Sequence, residues 1–165
     1  MTGSKITSCV SLSRNIRIVP DYPELSSISV DAHERYDVLI LPGGAPGAKT
    51  FCGDNTVLDL INEFRKRAKW VAAICAATTA LVAAHKRDDG TRKVTTTVTS
   101  HPSVKDEVVQ AGWQYSEERV VVDQNIITSQ GPGTAILFAL TIVEELCGKE
   151  KRGEVAGPMI VAETL

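Results

Sequence analysis

The stretch Trp70-Val71-Ala72-Ala73-Ile74 runs without a linker into Cys75 and on into the alanine-rich segment Ala76 to Ala84, a junction that constrains the fold more than any other part of the chain. Five apolar residues in a row suit a strand buried on both faces, as in a parallel sheet. The alanines that follow have high helix propensity. A strand that becomes a helix within one turn needs a sharp elbow. Ala73, Ala76 and Ala77 keep the positions two before, one after and two after Cys75 small enough to permit one.

The same alternation extends along the chain. Tyr36 to Leu41 reads as a buried strand that stops at Pro42-Gly43-Gly44. Val57, Ile61, Phe64 and Ala68 recur at helical spacing and predict an inward helix face, with Thr56 and Asp59 as its capping box. Lys86 to Lys93 reads as a surface loop, and Val94 to Thr99 as a strand delivering Ser100-His101-Pro102 at its end, with a helix from there to Gln110. Trp113 to Tyr115, Val120 to Val122 and Ile126 to Thr128 read as short strands, the last two joined by a tight turn at Asp123-Gln124-Asn125. After a turn at Gly131-Pro132-Gly133, Thr134 to Leu146 is predicted helical, with Ala135, Phe138, Ile142 and Leu146 inward and Gly148 just past its end. The expected architecture is a doubly wound α/β sandwich forming a single domain over residues 1–165, with no internal repeat or linker.

The N-terminal stretch allows two readings. Asp21 is the first acidic residue, after Lys5, Arg14, Arg17 and many Ser and Thr, a composition shared with transit peptides. Val10, Leu12, Ile16 and Ile18 nevertheless fall at even positions, as a half-buried strand requires, and mitochondrial targeting is not expected.

Composition limits the partners. A hydrophobic content of 43% over 165 residues supports one core. The 18 basic and 20 acidic residues are spread evenly, leaving a net charge of -2 and no basic face for nucleic acid or an anionic membrane. Cys9, Cys52, Cys75 and Cys147 are too scattered for a disulfide scaffold or a zinc site and suit a reducing compartment, the cytoplasm or also the nucleus. No apolar run approaches the ~20 residues of a membrane span.

In open α/β sheets the carboxyl ends of the strands form the active-site crevice. Gly43-Gly44, Cys75 and His101 are all predicted to lie there. A cysteine at a strand-to-helix elbow points its sulfur at the helix N-terminus, where free N–H groups stabilise a thiolate; the other reading is an inert buried cysteine. His101 follows the next predicted strand, where it could pass a proton, hold the thiolate as an ion pair, or simply cap the helix after Pro102. His33 and His85 read as surface positions, and no histidine has ligand-like spacing, so neither a metal nor a cofactor is expected. The N–H groups of Gly43-Gly44, with that of Ala76, could form an oxyanion hole, or the glycines could be a plain turn. Gly131 and Pro132 could let a loop pass close to the site.

Taken in order, Tyr36-Asp37-Val38 leading to Leu41-Pro42-Gly43-Gly44, Ala72-Ala73-Ile74-Cys75-Ala76, Ser100-His101-Pro102 and Thr128-Ser129-Gln130-Gly131-Pro132-Gly133-Thr134 closely resemble the DJ-one/PfpI superfamily from about Ser13 onward. The branch they resemble most contains the Parkinson-disease protein deglycase and the glutathione-independent glyoxalases. The resemblance implies a flavodoxin-like sandwich of the class I glutamine amidotransferase type, usually a homodimer. It implies Cys75 as nucleophile and redox-sensitive thiol, His101 as its partner, Gly44 and Ala76 as oxyanion donors, and Gly43, Gly131 and Pro132 in the flanking loops. The implied activity is conversion of a small reactive carbonyl, methylglyoxal, to lactate without glutathione, or a related protein deglycation. A non-enzymatic oxidative-stress sensor or chaperone acting through oxidation of Cys75 is the second reading. A cysteine hydrolase ranks last, because the amidotransferase form needs a late histidine and none follows His101. The family's first strand, its glutamate-bearing helix and its second strand have no counterpart here. The expectation is therefore a truncated isoform or gene model with exposed sheet edges and impaired activity.

Overall fold

In the computed structural model, which describes residues 9–12, 15–89 and 94–162, the first strands are β1 (Val10–Ser11) and β2 (Arg17–Ile18). They pair antiparallel as a small hairpin separate from the main sheet. The even-numbered apolar residues do share the hairpin's region, but Val10, Leu12, Ile16 and Ile18 are all exposed. The predicted half-buried strand is thus a two-stranded ribbon with no described element packed over its apolar positions. Lys5 and Arg14, part of the transit-like composition, lie outside the described residues.

A short helix α1 (Ala32–Arg35) leads to β3 (Val38–Leu41), followed by α2 (Ala45–Gly53), α3 (Asn55–Lys66) and β4 (Trp70–Ile74). A single 3₁₀ turn, Cys75–Ala77, connects β4 to α4 (Thr78–Asp89). Beyond it come β5 (Thr97–Val98), a 3₁₀ turn at Pro102–Val104, α5 (Lys105–Gln110), β6 (Gln114–Tyr115), β7 (Val120–Asp123) and β8 (Ile126–Ser129). A last 3₁₀ turn, Pro132–Thr134, starts α6 (Ala135–Met159), which is broken at Gly148 with φ 88°.

The main sheet has the order β3-β4-β8-β7, with β3, β4 and β8 parallel and β7 antiparallel at one edge. β3 forms the other edge, and its Ile40 is 48% exposed. Strand β4 shows why this sheet is covered on both faces. Val71 and Ala73 point into a core shared with Ile61, Phe64, Leu81 and Val98, whereas Ala72 points to the opposite side, onto Ile127, Phe138 and Ile142. Period-two alternation of apolar residues on both faces is what a doubly wound strand requires. Helices α3 and α4 cover the first face and α6 the second.

Several local expectations are corrected. Asp54, not the Thr56/Asp59 pair, caps α3: its Oδ1 accepts from the N–H groups of Thr56 at 2.8 Å and Val57 at 3.2 Å. Ala68 falls beyond the end of that helix, exposed and at φ 55°. α2 is a helix for which no prediction was made; Pro46 sits in its first turn, where the missing N–H costs nothing. The expected loop from Lys86 is helical to Asp89, and residues 90–93 lie outside the described set. In α6 Phe138 and Ile142 are buried as predicted, while Ala135 and Leu146 are exposed and Leu140 is buried in their place.

Candidate active site

The carboxyl ends of β3, β4, β5 and β8 bring the predicted residues to one end of the molecule. Gly43 and Gly44 follow β3, Cys75 follows β4, His101 lies three residues beyond β5, and Gly131 follows β8. Three close approaches link these loops. A β-carbon on Gly43 would fall 2.8 Å from the Cys75 β-carbon and 3.5 Å from its sulfur. The backbone N–H of His101 donates to the Cys75 carbonyl at 3.3 Å. On the far side, a β-carbon on Gly131 would stand 3.6 Å from Cδ2 of the His101 ring.

Cys75 itself has φ 67°, the left-handed region that side chains other than glycine rarely occupy. That conformation costs on the order of 1–2 kcal/mol, and it turns the chain from β4 into α4 within one residue. The turn is held from beneath. Thr79 Oγ1, buried in the first turn of α4, donates to the Ala76 carbonyl at 2.9 Å, and the Cys52 sulfur lies 3.4 Å from the same hydroxyl. Ala76 is buried; Gly44, at φ 108°, is exposed and starts α2. The Cys75 and His101 side chains are both partly exposed, so the site is an open shelf. A cleft of about 450 Å³ is found at the other end of the strands, around Asn62, Lys66, Thr96 and Asn125, and neither Cys75 nor His101 lines it.

The His101 segment is fixed by hydroxyl groups that the sequence reading did not single out. The Thr99 N–H donates to Thr128 Oγ1 at 2.9 Å, and Thr78 Oγ1 donates to the Thr99 carbonyl at 3.0 Å, all three residues being buried. Tyr115 clamps the next residue, its hydroxyl accepting from the Ser100 N–H at 3.3 Å and donating to the Ser100 carbonyl at 3.1 Å. Lys105 stands 5.1 Å from the centre of the Tyr115 ring, and its ammonium pKa is raised by a hydrogen bond to Glu117. His101 Nδ1 accepts from the Ser103 N–H at 3.2 Å and lies 2.8 Å from Ser103 Oγ. His101 is therefore a helix cap, one of the roles its position allowed, with the rest of its ring free of that duty. The signal for this was present in His-Pro-Ser, a capping pattern with Pro in the first turn.

The Gly131 loop is pinned by Thr134, whose Oγ1 accepts from the Gly131 N–H at 3.0 Å and lies 2.5 Å from Ser129 Oγ. Pro132 is exposed at the first position of the turn. His33 and His85 are partly buried and not surface positions; the His85 ring meets Trp113 edge-on, with 6.0 Å between centroids. Among the described residues no group of three His, Cys, Asp or Glu side chains could hold a metal ion, and no helix is long and apolar enough to cross a membrane.

The family model described as DJ-1/PfpI family matches residues 3–145. The chain belongs to the DJ-1/PfpI family. Among its DJ-1 relatives, the Parkinson disease protein 7 homolog of Danio rerio is 43% identical over 157 residues, covering 93% of this chain and 77% of that protein. The glutathione-independent glyoxalase DJ-1 of Schizosaccharomyces pombe is 37% identical over 157 residues, covering 93% and 78%. The crystal structure of Drosophila melanogaster DJ-1beta superposes with a TM-score of 0.82 at 39% identity, covering 94% of this chain and 78% of that one. The flavodoxin-like DJ-1/PfpI fold predicted from the ordered motifs is thereby shown, with a mixed sheet.

Proposed function

We propose that this chain is a glutathione-independent glyoxalase-type lyase that converts methylglyoxal to lactate, with Cys75 as its nucleophile. The observation that carries this reading is the strained elbow at Cys75, with Gly43 packed beside it where no β-carbon would fit and His101 bonded to the same turn. Strain held at a partly exposed thiol on a strand end is the usual mark of a working residue and has no packing benefit. Two DJ-1 relatives, from Schizosaccharomyces pombe and Caenorhabditis elegans, carry the name glutathione-independent glyoxalase.

In this reading the Cys75 thiolate adds to the aldehyde carbon, and the carbonyl π pair moves to oxygen as an alkoxide. The backbone N–H groups of Gly44 and Ala76 receive that charge. The hydrogen on the former aldehyde carbon leaves as a proton to solvent water, and water returns one to the neighbouring carbon through an enediolate, giving an S-lactoyl thioester. Water then cleaves the carbon–sulfur bond, so that the net change is one water added to methylglyoxal and the thiol is regenerated. His101 is assigned the hydrogen bonds to the substrate oxygens as their charge changes.

The test is lactate formation from methylglyoxal in the absence of glutathione, comparing the wild type with Cys75→Ser. The wild type should form lactate and the variant should fall to the uncatalysed background. Equal rates from both proteins would overturn the assignment.

A further inference from the structure

His101 meets Ser103 through one ring nitrogen only, which settles more than the orientation of the ring. The Ser103 backbone N–H points at Nδ1 from 3.2 Å, and Ser103 Oγ lies 2.8 Å from the same atom. A peptide N–H can only donate, so the nitrogen it meets must offer a lone pair. The hydroxyl, free to rotate, then donates to the same lone pair. In a neutral imidazole this leaves the proton on the other nitrogen, Nε2. Turning the ring over would set a carbon against the Ser103 N–H and leave that donor without its bond.

The rest of the segment is already immobile. The His101 N–H is tied to the Cys75 carbonyl, and Ser100 is held on both its backbone groups by Tyr115. Cδ2, the ring atom next to Nε2, is the one that approaches Gly131. Ring rotation and tautomer are the freedoms left, and Ser103 removes both.

We propose that Ser103 is a positioning residue for His101, fixing the ring with its proton on Nε2 so that it presents a hydrogen-bond donor to a bound carbonyl compound. The inference deepens the lyase reading and rests on it for the ligand, while the tautomer rests on the ring's own bonds. A neutral imidazole donor suits an oxygen that gains charge during reaction, because the hydrogen bond strengthens as the enediolate forms.

The decisive measurement is the pair of ring-nitrogen chemical shifts of His101 in protein labelled with nitrogen-15 histidine, recorded at a pH where the ring is neutral. The His101→Gln variant identifies the resonances. In the wild type Nδ1 should appear as the unprotonated nitrogen and Nε2 as the protonated one. Ser103→Pro, which lacks the peptide N–H as well as the hydroxyl, should bring the two shifts together as the ring samples both tautomers. Ser103→Ala loses only the hydroxyl, and its shifts should move part of the way. Its kcat for methylglyoxal should fall about fivefold, the effect of one lost hydrogen bond, with KM less affected, and Ser103→Thr should restore both readings. A protonated Nδ1 in the wild type, or unchanged shifts in Ser103→Pro, would overturn the proposal. Shifts as expected in a protein that forms no lactate would support the positioning role and count against the lyase reading alone.

Discussion

Gly43 lies so close to Cys75 that a β-carbon added to it would stand 2.8 Å from the Cys75 β-carbon and 3.1 Å from the Ile74 carbonyl oxygen. Neither neighbour can give way, since one belongs to the strained elbow and the other to the backbone of β4. Glycine at this position is a requirement of space, because the loop after β3 must pass directly beside Cys75.

Gly43→Ala should therefore damage the site and, to a smaller degree, the fold. Overpacking of this kind costs about 1–3 kcal/mol, and a displacement of the sulfur by around an ångström lowers turnover on the order of 100-fold. Methylglyoxal kinetics and urea unfolding of the same preparation check the two effects separately. Gly44→Ala should be limited to the strain of its positive φ, since nothing lies within 4 Å of the added carbon.

Removing the thiol in two ways separates strain from chemistry. Cys75→Ala keeps a side chain at φ 67°, whereas Cys75→Gly does not. The glycine variant should be the more stable of the two by about 1 kcal/mol, or about 2–4 °C in Tm, although neither forms lactate. Equal melting temperatures would show that the elbow carries no strain.

The ion pair between α3 and α4 gives an acid dependence of known sign. Arg87 donates to Asp59 at 2.7 and 3.1 Å, and this hydrogen bonding holds the Asp59 carboxyl below its ordinary pKa. A carboxylate depressed on folding stabilises the protein above its unfolded pKa and loses that contribution as the pH falls through the folded value. Asp59→Asn should thus be less stable than the wild type near neutrality, and the gap should close on acidification. Because both groups are well exposed the gap should also be small and shrink with added salt, which denaturant midpoints at several pH values and ionic strengths would reveal.

Much of the fold could be read where local pattern and burial agree. β4 spans Trp70–Ile74 as its apolar run implied, and the chain turns at Cys75 because the alanines beside it leave room. The strand after Asp37 and the β7–β8 hairpin were legible for the same reason, since turn residues bound them; Gly148 was legible as a helix end, but not the helical turns that resume beyond it to Met159. α2 was not, because its glycines and prolines argue locally for a loop, whereas in the fold it packs against α4, α3 and the turn that begins at Cys75. In the site, Cys75 and His101 were visible as reactive types at strand ends. Thr78, Tyr115 and Thr128 were not, because a hydroxyl's worth depends on which distant backbone group it meets. Thr99 and Thr128 are bonded across 29 positions of sequence.

The alternation along β4 has one more consequence, for how this protein tolerates mutation. Ala72 and Ala73 lie back to back in the two cores, each fully buried, three and two residues before the one that carries the sulfur. Any enlargement of either methyl group must push the strand toward one core or the other, and the elbow at its end moves with it. The geometry of the shelf in such a chain erodes from the interior outward, so substitutions far from its mouth should weigh as heavily on its evolution as those within it.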